Sequence, residues 1–269
     1  MLIRCVEKLS WSSMAKKNSI PVAYLFIGGT LLISLAWLMP TLPVFALIGF
    51  APFMAIVANN PQENSLWNYL ELVLLGLFIS FFSAALFDPG TLVQVILLSI
   101  TYTLPFLGFA FSRRVLGNKT SIITLLLYWL AVEYVLVKWG PSHANFLANL
   151  MSARADWTRW NTSTGYLGGS FWILICNFFV YKAFLTNQKV SWLFVSLFLI
   201  TAIGPIFYSL TMEGPGLTLI QMTALYEGDE AGLTQSYVLK GEFIARTSAW
   251  VSVLILLFTF VRNKANRKK

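Results

Sequence analysis

One carboxylate lies deep inside a hydrophobic run: Glu133, in residues 128–134, which read Tyr-Trp-Leu-Ala-Val-Glu-Tyr. An acidic residue at bilayer depth costs about 2.5–3.5 kcal/mol on insertion scales, so it normally faces protein or water and has a partner. Trp129 is four residues earlier and shares its helical face, and Lys138 and Arg246 are the candidate counter-charges. Two interpretations stay open: a buried ion pair or hydrogen bond that holds a helical bundle together, or direct contact with a substrate.

The other residues that could do chemistry lack the partners that chemistry needs. Glu133 has no visible nucleophile beside it, and a lone carboxylate is weak support for catalysis. The two cysteines, Cys5 and Cys176, suggest neither a disulfide framework nor a zinc site, and Cys176 is predicted to be a small buried thiol. His143 is the only histidine and lies in a loop, and Glu71 is interpreted as a solvated residue near a helix end. We predict no catalytic residue, no metal and no cofactor.

An aromatic loop, residues 139–165, follows the run that carries Glu133. Its apolar residues recur at i, i+1, i+4 and i+5, which predicts a short amphipathic helix on the outer surface of the membrane. These residues are Phe146, Leu147, Leu150 and Met151. A candidate rim for a lipid or a partner protein consists of Phe146, Trp157, Trp160, Arg154 and Arg159. The rim either anchors the loop at the membrane surface or admits a lipid or lipidated polypeptide from the bilayer.

The elements that must position these residues are predicted from composition. Of 269 residues, 57% are hydrophobic and 11% are charged, and the mean hydropathy is +0.71. A soluble domain carries roughly 25% charged residues, because its exterior is hydrated. A membrane-spanning helix needs about 20 mostly apolar residues. Hydrophobic segments of about this length are residues 20–38, 41–58, 66–87, 90–111, 121–138, 166–186, 191–210 and 243–262. We predict an all-α integral membrane protein with about eight transmembrane helices.

The predicted organisation has three parts. Residues 1–19 form a cytoplasmic or interfacial N-terminal segment, and residues 263–269 form a basic cytoplasmic tail. Residues 20–262 form the eight-helix transmembrane domain, with outer loops at 139–165 and 211–242. The turns after the first and third helices are so short that each is predicted to join a tight antiparallel pair.

The net charge of +8 is explained by orientation in the membrane and not by nucleic-acid binding. The basic residues lie between hydrophobic runs and at the two ends, as orientation signals do. With the N-terminus in the cytoplasm and eight alternating helices, 14 of the 19 Lys and Arg residues lie on the cytoplasmic side. This bias favours an even number of crossings, with both termini in the cytoplasm, and no nucleic-acid partner is predicted.

Several short motifs occur in order over nearly the whole chain. They are residues 36–40 with 49–53, 104–106 with 112–114, 128–134, 164–172 with Asn177, and 241–246. Together they resemble the membrane domain of the apolipoprotein N-acyltransferase family, in the form found in Bacteroidetes. The last motif, which ends at Arg246, is similar to the family's glycine-acidic-x-x-x-arginine approach to its final helix. The resemblance implies a multi-pass protein of the bacterial cytoplasmic (inner) membrane.

Two departures from that family bear on activity. Family members carry a periplasmic nitrilase-like domain between their seventh and eighth helices, where a Glu-Lys-Cys triad transfers an acyl chain from a phospholipid to a lipoprotein. Such a domain needs on the order of 200 residues, whereas the segment here, residues 211–242, is short and contains no cysteine. The family's proline-tryptophan pair after the fifth helix is replaced by residues 142–147, Ser-His-Ala-Asn-Phe-Leu. Among the retained residues are Glu133, Asn177 and Arg246.

Three hypotheses follow from these residues and this resemblance. The preferred one is a non-catalytic relative, which acts as a scaffold or as a lipid- or lipoprotein-binding subunit of a cell-envelope complex. Its partners would be a phospholipid or lipoprotein and other membrane or periplasmic proteins. The alternative is a lipoprotein N-acyltransferase whose catalytic part is supplied by another chain. A transporter is the third, and it is disfavoured because the sequence shows one deep carboxylate and no detectable repeat.

Overall fold

The computed structural model describes residues 20–39, 41–58, 66–139, 147–164, 166–186, 189–213 and 234–266. Within these residues every regular element is a helix, and each of the eight hydrophobic segments of the sequence contains one. The main helices are α1 (Val22–Leu38), α2 (Pro43–Ala58), α3 (Leu66–Ala84), α4 (Leu92–Leu116), α5 (Asn118–Trp139), α6 (Tyr166–Val180), α7 (Trp192–Thr211) and α8 (Thr234–Asn266). The predicted N-terminal segment, the end of the basic tail and most of the second outer loop lie outside the described residues.

The helices have the length and composition of a membrane protein. Five of them, in α3, α4, α6, α7 and α8, are long and apolar enough to cross a membrane, and the apolar helices Val22–Leu38, Pro43–Ala58 and Ile122–Leu136 are shorter. Only 11% of the apolar stretch of α7 and 17% of that of α8 is buried inside the protein. Lipid is the surrounding that makes such exposed apolar helices stable. The chain is therefore an α-helical membrane protein by composition and fold.

From Gly49 to Ala58, all but one of the residues of helix α2 are buried, so this part of the helix lies inside the protein. Phe50, Phe53 and Met54 are all at most 1% exposed. The helix begins with a 3-10 turn at Pro43–Phe45 and is interrupted at Phe50, between Ala46–Gly49 and Ala51–Ala58. Its small residues allow the helices around it to approach closely, which is the usual means of packing helices in lipid.

Glycines mark the closest approach between α1, α2 and α3. A Cβ atom on Gly76 would lie 2.7 Å from Phe53 Cε1 and 2.9 Å from Thr30 Oγ1. A Cβ on Gly49 would lie 2.7 Å from Ile33 Cδ1. Both distances are shorter than a van der Waals contact, so a side chain at either position would force the helices apart.

The helices that the sequence predicted to be paired are in contact. The connection between α3 and α4 is a tight turn in which Leu86 and Phe87 adopt positive φ angles of 52° and 58°. Non-glycine residues occupy this left-handed region only at a cost, and two in succession are unusual. Asp88 then caps the 3-10 turn Pro89–Thr91 by accepting a hydrogen bond from the amide of Gly90 at 3.1 Å. This connection, between Ala84 and Leu92, is the short turn that the sequence predicts after the third helix.

Helix α8 packs on α5 and α4 through a stripe of hydroxyl residues. Ser248, Ser252 and Thr259 are buried, while their apolar neighbours on the opposite face are exposed. The hydroxyl of Ser252 donates to the carbonyl of Ser248, and that of Thr259 donates to the carbonyl of Ile255, both at 2.7 Å. These small residues satisfy their polar groups on their own helix and let α8 approach the bundle.

Candidate functional site at a buried carboxylate

The side chain of Glu133 on α5 has no exposed surface. Its Oε1 accepts two hydrogen bonds, from the indole Nε1 of Trp129 at 3.3 Å and from the backbone amide of Leu147 at 2.9 Å. Its Oε2 is buried and has no hydrogen-bond partner among the described residues. The structure thus brings Trp129 and Glu133 together, as their spacing predicts, and places the hydroxyl of Ser170 beside the same carboxylate.

Aromatic rings fix the position of Trp129 and keep water away from this side of the site. Its ring centroid lies 5.1 Å from that of Phe50, 5.2 Å from that of Tyr102 and 5.7 Å from that of Phe106. Two of these pairs are edge-on, an arrangement that aromatic quadrupoles favour. Because Trp129 cannot turn in this packing, its N–H is held toward Glu133.

The segment of residues 147–164 covers the carboxylate. It contains the 3-10 helix Leu147–Trp157, with a break in helical geometry at Arg154, and the short helix Asn161–Thr164. The sequence predicts that the apolar residues of this region lie on the membrane surface, but Leu147, Leu150 and Met151 are at most 2% exposed and belong to the core. The reason is local. The backbone amide of Leu147 donates a hydrogen bond to the buried Glu133, and the apolar residues that follow Leu147 therefore face the core.

Sequence reasoning did not single out three polar residues of this region as a site: Ser170 beside the carboxylate, and Asn149 and Asn161 on the 147–164 segment. The hydroxyl of Ser170, on α6, lies beside the carboxylate and accepts a hydrogen bond from the amide of Ala148 at 3.1 Å. The amide group of Asn161 lies against Gly169, where a Cβ atom would meet Nδ2 at 3.1 Å. Asn149 follows Ala148 directly, and Oδ1 of both Asn149 and Asn161 is buried with no hydrogen-bond partner among the described residues.

Arg246, one of the two proposed counter-charges, forms no ion pair with Glu133 among the described residues. Arg246 is exposed on α8, and among the described side chains no Lys or Arg is hydrogen-bonded to the carboxylate. The side chain of Lys138 lies outside the part of the chain that the structure describes. Glu133 is therefore held by two neutral N–H donors, and the ion-pair interpretation gains no contact from the described residues.

Asn177 forms a separate polar site, at the interruption of α2. Its Oδ1 accepts from the backbone amides of Phe50 at 2.7 Å and Ala51 at 2.9 Å. Its Nδ2 donates to the carbonyls of Ala46 at 2.7 Å and Ile173 at 2.8 Å. The side-chain amide satisfies the backbone groups that the interruption frees, as buried backbone polar groups require. All hydrogen-bonding positions of this amide are used within the protein. Asn177 therefore joins α6 to α2 and is not available to a ligand.

The four described residues of the predicted rim are held in place by contacts with each other and with neighbouring elements. The guanidinium of Arg154 donates from Nε to the carbonyl of Thr41 at 3.3 Å and lies 5.2 Å from the centroid of the Trp157 ring. Arg159 donates from a terminal nitrogen to the carbonyl of Met212 at 2.7 Å. The last of the four, Trp160, packs edge-on against Trp172 at 5.7 Å. Phe146, the fifth predicted rim residue, lies outside the described residues.

Among the residues that the structure describes, no group of three or more His, Cys, Asp or Glu side chains could hold a metal ion. Cys176 is completely buried, as predicted. What the site holds is one buried carboxylate that accepts from two N–H groups and has the hydroxyl of Ser170 beside it.

The chain was compared with known proteins at three levels. No family model matches it. No curated protein and no solved structure matches it either.

Proposed function

We propose that this protein is a non-catalytic, lipid- or lipoprotein-binding membrane subunit of a cell-envelope complex, with eight transmembrane helices and the plan of an apolipoprotein N-acyltransferase membrane domain. The motifs of the sequence carry the family part of this proposal. The observation that carries the binding part is the 147–164 segment, because its aromatic and basic side chains are held in place before any partner arrives.

The hydrogen bonds that hold the 147–164 segment in place support the proposal that it is a binding surface. Glu133 holds its first amide, Arg154 ties it to Thr41 near the start of α2, and the amide of Arg159 donates to the hydroxyl of Ser209 on α7 at 2.7 Å. A surface whose side chains are already ordered loses less entropy on binding than a mobile one. Trp157, with a guanidinium above its ring, combines an apolar body and a positive charge, which suits the boundary between lipid tails and headgroups.

The experiment is purification in mild detergent, followed by mass spectrometry of the lipids and proteins that remain bound. We expect a defined phospholipid or lipoprotein, together with envelope proteins, at a stoichiometry that survives repeated washing. The paired substitution Arg154→Ala and Trp157→Ala should reduce the retained lipid or lipoprotein several-fold, because it removes the charge and the ring of the rim. Trp192→Ala is the matched control, since Trp192 is 75% exposed on α7 and lies far along the chain from the rim.

Two results would count against this proposal. Equal retention in the rim variant and in the Trp192→Ala control would separate binding from the 147–164 segment. Co-purification of a nitrilase-like protein, with N-acylation of a diacylated lipoprotein by the complex, would establish an enzyme built from two chains. That activity should survive Cys5→Ser and Cys176→Ser if the nucleophile belongs to the other chain.

A further inference from the structure

Helix α7 contains a proline near its C-terminal end, at Pro205. Proline has no N–H group, so the carbonyl of Thr201, four residues earlier, loses the donor that a regular helix would give it. The residue before the proline, Gly204, is exposed, and a Cβ atom there would meet nothing within 4 Å. A helix bends most easily at such a position, because one hydrogen bond of the helix is missing and no neighbour blocks the movement.

The indole of Trp172, on α6, supplies the missing donor. Its Nε1 donates to the carbonyl of Thr201 at 2.6 Å, and the side chain is 3% exposed. Membrane helices tolerate proline where a neighbouring helix satisfies the freed backbone group in this way. The ring of Trp172 also packs edge-on against Trp160 of the 147–164 segment, with 5.7 Å between the ring centroids. The hydrogen bond therefore joins the bend of α7 to α6, beside the segment that carries the predicted rim.

Beyond the proline, α7 is attached to the 147–164 segment by polar contacts. The hydroxyl of Ser209 donates to the carbonyl of Asp156 at 2.6 Å and accepts from the amide of Arg159 at 2.7 Å. The guanidinium of Arg159 donates to the carbonyl of Met212 at 2.7 Å. Of the residues of α7, all of which the structure describes, only Ala202 and Ser209 are buried. Movement of this helix end would therefore break hydrogen bonds and expose little of the apolar core.

We propose that the C-terminal end of α7, residues 205–212, moves about a hinge at Pro205 and that the hydrogen bond from Trp172 holds it in the closed position. Movement to the open position also breaks the hydrogen bonds from this end to the segment and releases Arg159 of the predicted rim. The hinge thus determines whether the rim is fixed or loose. It does not depend on the function proposed above, because it concerns the position of α7 whatever the rim binds.

The test is hydrogen–deuterium exchange of the purified full-length chain in detergent, followed at the backbone amides of residues 206–212 and of Arg159. Trp172→Phe keeps an aromatic ring and removes the N–H that Thr201 accepts. We expect these amides to exchange about fivefold faster or more, because a buried carbonyl loses its donor and local opening sets the exchange rate. Trp192→Phe is the matched control and should leave the rates unchanged, since Trp192 is 75% exposed at the other end of the same helix.

A second substitution separates the hinge from simple loss of packing. Pro205→Ala restores a backbone N–H for the carbonyl of Thr201, so that carbonyl no longer depends on Trp172. In the Pro205→Ala background, Trp172→Phe should change the exchange rates less than about twofold, as expected when the first change removes the interaction that the second one tests. Pro205→Ala by itself should slow the exchange of residues 206–212, a result that does not require the Trp172 variant to fold.

Two results would overturn the proposal. Equal acceleration by Trp172→Phe with and without Pro205→Ala would show that the indole acts through packing and not through its bond to Thr201. Exchange at residues 206–212 that neither substitution changes would show that this end of α7 does not open about Pro205.

Discussion

Glu133 connects its own helix to the segment that follows it, with no ionic partner among the described side chains. It accepts hydrogen bonds from Trp129, on its own helix, and from Leu147, beyond the connection that follows it. The first bond follows from spacing of four residues along a helix. The second depends on where the chain returns after α5, which sequence spacing alone does not specify. The sequence therefore predicts the contact between Glu133 and Trp129, whereas the tertiary packing determines the hydrogen bond to Leu147.

Substitution can separate the role of the acceptor oxygen of Glu133 from that of its negative charge. Glu133→Ala removes the acceptor of two buried N–H groups, and each such group left unsatisfied costs about 1–3 kcal/mol. Glu133→Gln keeps an oxygen for Trp129 and Leu147 and removes only the negative charge. We expect the alanine variant to unfold well below the wild type, and the glutamine variant to unfold close to the wild type. The measurement is the unfolding temperature of each purified protein.

An equal loss of stability in both variants would contradict this account of the carboxylate. It would mean that the negative charge itself, and not the acceptor at Oε1, keeps the 147–164 segment in place. Thr101→Ala is a suitable control, because its hydroxyl is bonded only to the carbonyl of Leu97 on its own helix, at 2.8 Å, and is partly exposed. Its stability should stay within about 0.5 kcal/mol of the wild type, as surface changes do.

At the scale of elements, hydrophobic runs predicted where helices occur, because a spanning segment must satisfy its backbone internally. The same runs could not predict three features that depend on neighbours. One is the interruption of α2 at Phe50, which is stable because Asn177 bonds the freed backbone groups. Another is the π-helical turn Tyr181–Leu185 that continues α6. The third is the inward face of the 147–164 segment. Among the described residues, five helices are long and apolar enough to cross a membrane, and the number eight stays a prediction.

Close packing of α1, α2 and α3 gives a prediction at this scale. Gly76→Ala would place a Cβ 2.7 Å from a ring carbon of Phe53, a residue with no exposed surface and no room to move. Overpacking of this kind typically costs about 1–3 kcal/mol. Gly204→Ala on α7 is the matched control, because nothing lies within 4 Å of its added carbon. There the better helix propensity of alanine should be neutral or stabilising by up to about 1 kcal/mol.

Unfolding temperatures of the two glycine variants, measured side by side in one detergent, decide this prediction. We expect Gly76→Ala to unfold below the wild type and Gly204→Ala to unfold at or above it. The reverse order would show that Phe53 can move and that the three helices are not in tight contact. Equal values for both variants would show that detergent, and not helix packing, limits the stability of the protein.

The whole molecule is asymmetric in charge, and that asymmetry predicts its orientation. Of the 19 Lys and Arg residues, 14 lie on one side of an eight-crossing arrangement. Positive charges close to the ends of spans are retained in the cytoplasm. The five candidate spans alone would leave the three shorter helices as buried or interfacial elements and would put the two termini on opposite sides. Whether both termini lie on the same side of the membrane therefore depends on whether the number of crossings is even.

The number of crossings can be tested by fusing a fluorescent protein that folds only in the cytoplasm to each terminus in turn. Eight crossings predict fluorescence from both the N-terminal and the C-terminal fusion, because an even number of spans returns the chain to its starting side. Alkaline phosphatase, which is active only outside the cytoplasm, should be active when inserted in residues 214–233 and inactive at the C-terminus. Fluorescence at one terminus only would require an odd number of crossings. Helix α2 is the most buried of the short apolar helices. It would then be the first candidate for a helix that lies in the protein core without crossing the membrane.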